Sequence, residues 1–309
     1  MINIEPTGAI LGATITGLDL AKPIGGADFA ILLKALGEHG VLCAHNQLLS
    51  PHELVAFSSL FGKLQVLSAS AHTEPGLPAV TILSNVVDNG KAIGTADAGQ
   101  FWHTDMTYNK EVGFVNVLVA HAVPMRNGRP LGGTEFTNTQ AAYADLPADI
   151  KTRLADATAV HDLNKSWEWL INVKKSPRKP LTPEQRRERP PVSHPVFLTH
   201  PITGRKVIYV NPNFVVNIEG MPQDESDKML EYLYDHVMQP RHRYTHHWAV
   251  GDVLLWDHLG TWHNAIADYG PDEYRLMKRC QVMADRIFDP AFTRAALSGA
   301  GPRPPGREE

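Results

Sequence analysis

Gly251-Asp252-Val253-Leu254-Leu255-Trp256-Asp257-His258-Leu259-Gly260-Thr261-Trp262-His263-Asn264 sets the fold reading. Residues 253–256 are a continuous apolar run of strand length, which predicts a buried strand. Residues 258–260 read as a turn, after which the chain resumes with His263 pointing inward. Comparable runs recur at 41–44, 79–83, 114–122, 157–161, 206–210 and 279–283. Residues 9–18 read as a short strand pair around Gly12 and Gly17, and 201–204 as the turn of a hairpin. Helical spacing is found at 28–39, where Phe29, Leu32, Leu33 and Leu36 share a face, and at 224–238, through Met229, Leu230, Leu233 and Val237. Ser50-Pro51 is a helix start, because the serine oxygen accepts an orphan N–H and proline has none to satisfy. That helix is expected to reach Phe61 and stop at Gly62. Many short strands with two or three helices predict a mainly β chain with flanking helices, built as an antiparallel double sheet rather than a parallel βαβ fold.

Around this frame the composition is ordinary. The chain has 309 residues, is 43% hydrophobic and carries a formal net charge of −4, so it buries a sizeable core and has no global electrostatic reason to bind nucleic acid or an anionic membrane. The expected partner is a small molecule. Cys43 and Cys280 are the two cysteines, too few for a disulfide framework, which suits a reducing, cytoplasmic setting. The amino terminus has no basic stretch followed by an apolar run, and the chain reads as unprocessed, soluble and without a membrane span. Residues 1–298 are expected to form a single domain and 299–309, rich in glycine and proline, a disordered tail. Residues 164–191 mix lysine, arginine and proline with Trp167 and Trp169. They read as a long inserted loop, either a solvated surface segment or a lid over a site. The apolar face near Leu230 suits either the core or the interface of a homo-oligomer.

The strongest local chemical signal is Phe101-Trp102-His103-Thr104-Asp105. On a strand, His103 and Asp105 would project from one face and offer an imidazole nitrogen and a carboxylate oxygen to one point. A His-x-Asp alone is weak evidence, and His263 is the candidate third ligand. Two histidines and a carboxylate on one face of an octahedral ion leave three positions open, the arrangement of non-haem Fe(II) oxygenases. A closed structural zinc site would instead fill four tetrahedral positions. His246, His247 and His258 compete, each being more often a surface or core-edge histidine, with His258 a partner to the ligands. Arg275 and Arg279 follow, an even number apart. On a returning strand they would share a face with the site and pair with anions through the planar fork that lysine lacks. Without the upstream ligands both would read as surface strand residues.

At this point the chain resembles the taurine dioxygenase and 2,4-dichlorophenoxyacetate dioxygenase family. The resemblance rests on Trp102-His103-Thr104-Asp105-Met106-Thr107, Gly132-Gly133-Thr134, Val210-Asn211, Gly220-Met221, Trp256-Asp257, and His263 with the two following arginines, and it spans roughly residues 8–285. It implies a distorted double-stranded β-helix, or jelly-roll, core. It implies that His103, Asp105 and His263 hold Fe(II), that Thr134 and Arg275 hold the distal carboxylate of 2-oxoglutarate, and that Arg279 faces an anionic group of the substrate. The implied reaction consumes 2-oxoglutarate and dioxygen, releases succinate and carbon dioxide, and hydroxylates a substrate C–H. Where that carbon bears sulfur, oxygen or nitrogen, the product collapses to an aldehyde and the freed group. Related halogenases replace the carboxylate of the triad with a small residue, so Asp105 argues against halogenation.

Departures from the family narrow the substrate. Positions that supply the sulfonate-binding histidine and a nearby tyrosine in taurine dioxygenase fall on Leu67 and Ser70, and an asparagine four residues before the first metal histidine becomes Gly99. Taurine is therefore a poor candidate. An apolar or aromatic body bearing one carboxylate, sulfonate or sulfate fits better, because a buried Arg279 left unpaired is penalised. Two rival classes stand beside this reading: a metal-dependent hydrolase using Zn(II), and a non-catalytic cupin-like binding protein on the same scaffold.

Overall fold

The computed structural model describes residues 1–66, 72–176 and 179–300. Leu67, Ser70 and residues 301–309, for which departures and a tail were expected, lie outside the described residues. An eight-stranded sheet dominates, in the order Asn3–Pro6, Ala13–Thr16, Val41–Ala44, Val253–Asp257, Gly113–Ala122, Leu276–Met283, Leu77–Ser84, Thr73–Glu74. Its one parallel pairing joins Ala13–Thr16 to Val41–Ala44; the others are antiparallel. A three-stranded antiparallel sheet, with Thr134–Asn138 between Arg243–His246 and Thr261–Ala265, faces it. The molecule is thus sheet-rich with flanking helices.

Alternation along the central strands explains the layering. Val115, Val117, Val119, Val253 and Leu255 point one way, into a core shared with Phe29, Leu32, Leu36, Leu54 and Phe57 of the helices Gly26–His39 and Pro51–Ser58. Their neighbours Leu118, Ala120, Leu254 and Trp256 point the other way and meet Phe136 of the small sheet. Both faces of these strands are covered, which is why their sequences read as continuous apolar runs. At roughly 25 cal/mol per Å² of apolar surface, burying each large side chain contributes about 1.5–3 kcal/mol. The two layers have little tolerance for a polar residue without a partner.

Helices are where the structure departs furthest from expectation. Instead of two or three, eight α-helices occur among the described residues, several of six to eight residues. Four of the five helices not expected start at capping side chains rather than apolar stripes, Ala148–Arg153 being the exception: Asn138 caps Thr139–Ala144, Asp162 caps Leu163–Asn172, Thr182 with Gln185 forms a capping box on Pro183–Glu188, and Asp289 caps Pro290–Leu297. Helices of six to eight residues show too few apolar positions for a period to emerge, and only Leu163–Asn172 among these four is longer, at ten residues. The 164–191 segment, read as a loop, accordingly holds the second and third of these helices. The helix from Ser50 ends at Ser58, three residues early. The expected pair within 9–18 is instead Ala13–Thr16 on Asn3–Pro6. Met229, Leu230, Leu233 and Val237 of Gln223–Val237 are buried within the chain, so that apolar face belongs to the core. No helix among the described residues is long and apolar enough to cross a membrane.

Candidate active site

Asp257 builds the turn between the two sheets that presents His263. Its Oδ1 accepts from the Leu259 N–H at 2.9 Å, and its Oδ2 from the Gly260 N–H at 2.8 Å. Its own carbonyl accepts from the Thr261 hydroxyl at 2.6 Å, while His200 Nε2 lies 3.0 Å from Oδ2. A Cβ on Gly260 would sit 2.6 Å from Asp257 Oδ2, so glycine is required where the turn closes on its own carboxylate. Val253–Asp257 therefore ends in the large sheet and Thr261–Ala265 begins in the small one.

His103 reaches His263 by a different route from the expected strand. The two residues form an isolated antiparallel bridge, His263 N–H to His103 O at 2.7 Å and the reverse at 3.1 Å. Beyond it the chain turns away: the Thr104 hydroxyl donates to His258 O at 2.6 Å, and Met106 takes a φ of 61°. Asp105 thus arrives from a turn, not from the same face of a strand. The outcome is still convergence, because one ligating atom from each of His103, Asp105 and His263 lies within 4.8 Å of the other two. The His103 Nδ1–H donates to the Phe101 carbonyl at 2.7 Å, which leaves the Nε2 lone pair facing Asp105 Oδ1 at 3.3 Å.

Electrostatics set these groups in ligand form. Burial alone would raise the Asp105 carboxyl, but the His103 contact and the nearby Arg279 and His263 hold it well below the usual range. Burial, with His103 adjacent, pushes His263 well below its ordinary value, so its imidazole is neutral. Two imidazoles and one carboxylate, with no sulfur, fit a divalent ion such as Fe(II). The Nδ1 of His263 and both ring nitrogens of buried His258 have no hydrogen-bond partner among the described residues. His258 Nε2 stands 3.8 Å from Asp105 Oδ2, beside the triad as the sequence suggested. His246 is instead tied to Asp252.

Arg275 lies against the loop at Gly132, and Thr134 pairs with Ala265 on the strand that carries His263. Arg275 is 7% exposed, its Nε has no hydrogen-bond partner among the described residues, and burial lowers its pKa, offset in part by Tyr269. Gly132 has a φ of 68°, and a Cβ there would meet Tyr269 at 3.0 Å and Arg275 Cδ at 3.2 Å. The Thr134 hydroxyl accepts from Trp248 Nε1 at 3.0 Å, which leaves its own proton free for an acceptor. Arg279 lies against the triad, Nη1 3.5 Å from Asp105 Oδ2. Two residues on, Gln281 Nε2 donates to the same oxygen at 2.7 Å. Strand parity from Arg279 would have found Gln281. Asn116, opposite Gln281 on the neighbouring strand, is fully buried with neither amide atom partnered; its signal was a lone amide within an apolar run. Gly99 abuts the site too, since a Cβ there would stand 3.5 Å from His103 Cε1. Glycine in place of a longer residue leaves that space open.

The profile of the "Taurine catabolism dioxygenase TauD, TfdA family" matches residues 3–281. Pentalenolactone F synthase of Streptomyces arenae is 31% identical, over 91% of this chain and 94% of its own. The alpha-ketoglutarate-dependent 2,4-dichlorophenoxyacetate dioxygenase of Burkholderia sp. (strain RASC) is 30% identical, over 92% and 95%. The crystal structure of a taurine dioxygenase from Burkholderia xenovorans superposes with a TM-score of 0.72 at 27% identity, covering 92% of this chain and 91% of that one. With the His–Asp–His cluster in place, the chain belongs to the taurine catabolism dioxygenase family and is a 2-oxoglutarate-dependent dioxygenase, of a class that uses Fe(II), 2-oxoglutarate and dioxygen.

Proposed function

We propose that the enzyme hydroxylates a C–H of a small organic anion, a carboxylate, sulfonate or sulfate on an apolar body, with cleavage where that carbon bears a heteroatom. Its catalytic unit in this reading is residues 1–298 on a distorted double-stranded β-helix core. The observation that carries the proposal is the convergence of His103, Asp105 and His263, with Arg279 against Asp105, in a chain that also buries an incompletely paired Arg275. The relative that acts on 2,4-dichlorophenoxyacetate, an aromatic carboxylate, supports the substrate class.

In this assignment His103, Asp105 and His263 hold Fe(II), which when bound activates dioxygen for decarboxylation of 2-oxoglutarate coupled to hydroxylation. Arg275 pairs with the distal carboxylate of 2-oxoglutarate, and the free Thr134 proton completes that cradle. Gln281 and Arg279 fix the Asp105 carboxylate. Arg279 also has donors left for the substrate anion, since its Nε is unpartnered. The carboxylate of Asp105 fills the place a halide would need, which favours hydroxylation. Hydrolase and passive-binding readings lose ground because neither has a use for a buried, incompletely paired Arg275.

The test removes one ligand. His263→Ala takes away one of three protein ligands while leaving the two hydrophobic layers intact, so the variant should fold, bind Fe(II) weakly and form no succinate with any substrate. Full substrate-dependent succinate formation by folded His263→Ala protein would overturn the assignment.

A further inference from the structure

A second group of metal-ligating side chains lies away from the triad, at the ends of two neighbouring strands. Cys43 and His45 are two apart and share a face at the end of Val41–Ala44. The antiparallel register sets Leu254 opposite Cys43 and Val253 opposite Ala44, so one further step brings Asp252 opposite His45. His45 Nδ1 lies 3.6 Å from Cys43 Sγ and 2.6 Å from Asp252 Oδ1, and all three ligating atoms are within 4.8 Å of one another.

Their geometry separates two readings. A nucleophilic Cys–His–Asp relay uses both ring nitrogens, one toward the carboxylate and the other toward sulfur. Here the same Nδ1 faces both groups, so no proton passes through the ring. Three ligating atoms within 4.8 Å of one another suit instead a cation that displaces the His45–Asp252 hydrogen bond. Asp252 is oriented accordingly, because its Oδ2 accepts from the Ala249 N–H at 2.9 Å and faces His246 Nε2 at 3.0 Å, leaving Oδ1 for the cluster. Cys43 and Asp252 are buried, whereas His45 is half exposed and gives an ion its way in.

We propose that Cys43, His45 and Asp252 form a second metal site that takes Zn(II) or another thiophilic divalent ion, with water in the fourth position. Sulfur, nitrogen and oxygen donors match zinc and disfavour magnesium and calcium, which want oxygen alone. The catalytic triad has no sulfur, so of the two sites only this one would give a thiolate signature with a bound ion. A bound cation also removes the repulsion between a Cys43 thiolate and Asp252, and it staples the strand Val41–Ala44 to Val253–Asp257.

Metal-free protein titrated with Zn(II) against a chelating dye should take up two ions per chain, and one in each of Cys43→Ser, His45→Ala and His263→Ala. Affinity of the second site should fall at least roughly tenfold in His45→Ala, whose half-exposed side chain is dispensable for folding. Co(II) should give a thiolate-to-metal charge-transfer band in the native protein and in His263→Ala, but not in Cys43→Ser. No thiolate band at saturating Co(II), a band that survives Cys43→Ser, or a zinc stoichiometry that is the same in the native protein and in Cys43→Ser would each overturn the site. Failure of the catalytic assignment alone would show as His263→Ala retaining both zinc ions.

Discussion

Arg275 shows what a single buried charge implies. A guanidinium with 7% exposure and an unpartnered Nε is costly without an anion, and 2-oxoglutarate supplies one in our assignment. Losing one partner of such a pair costs about 3–5 kcal/mol, equivalent to roughly two to nearly four orders of magnitude in affinity. Titration of Arg275→Ala should show 2-oxoglutarate binding weakened to that extent, and unchanged affinity would move the cosubstrate elsewhere. His161 makes the opposite argument, for stability. Burial, with His194 and Lys165 nearby, lowers its pKa to about 3, and neither ring nitrogen is partnered. A depressed histidine binds its proton more readily unfolded, near the ordinary 6.5, than folded. Its neutral form is therefore compatible with full stability above about pH 6.5, and stability drains away as pH falls toward 3. Thermal melts across that window should fall steeply for the native protein and less steeply for His161→Phe; parallel curves would acquit the residue.

At the scale of elements, the Asp257 turn carries the site. Asp257→Ala would strand two backbone N–H groups and His200 in a fully buried place, so the variant should lose about 3–5 kcal/mol in denaturant unfolding. Loss of under about 1 kcal/mol would mean that the turn closes without it. This element also shows what the sequence made legible. The apolar run before Asp257 and the histidine six residues beyond it announced a strand, a turn and an inward histidine. Length and period suffice for that. His200, which completes the turn, lies 57 residues upstream and gave no local sign. Asp105 joins the cluster by a route other than the expected strand, because a His103–His263 bridge and a turn at Met106 take its place. Short capped helices escaped because their signals are single side chains, and Asn116 because its partner strand could not be known before the register.

The whole molecule joins the inserted segment to the triad through a line of aromatic rings. Trp169, on Leu163–Asn172, packs edge-on against Phe101 at 5.1 Å, and Phe101 lies 4.9 Å from the His103 ring. Ser166 and Leu170 of the same helix are buried, so it is seated on the body rather than extended into solvent. We propose that this helix closes over the bound pair while Arg279 selects the substrate by charge. The two claims share one test, because both require an anion held between the helix and the iron. Lysine at 279 keeps a charge but loses the planar fork, so Arg279→Lys should impair coupled hydroxylation of an anionic substrate far more than substrate-independent decay of 2-oxoglutarate. Since Arg279 also lies 3.5 Å from Asp105, iron affinity has to be measured in the same variant. Unchanged iron binding with selective loss of coupling assigns Arg279 to the substrate. Equal loss of both activities, or a matching fall in iron affinity, assigns it to the triad. Proteolysis at the Leu163–Asn172 helix should slow when 2-oxoglutarate and substrate are both present, because closure removes the local opening that a protease needs. Equal cleavage rates with and without them would leave the helix as a fixed wall of the pocket, and Trp169 would then act only by packing on Phe101.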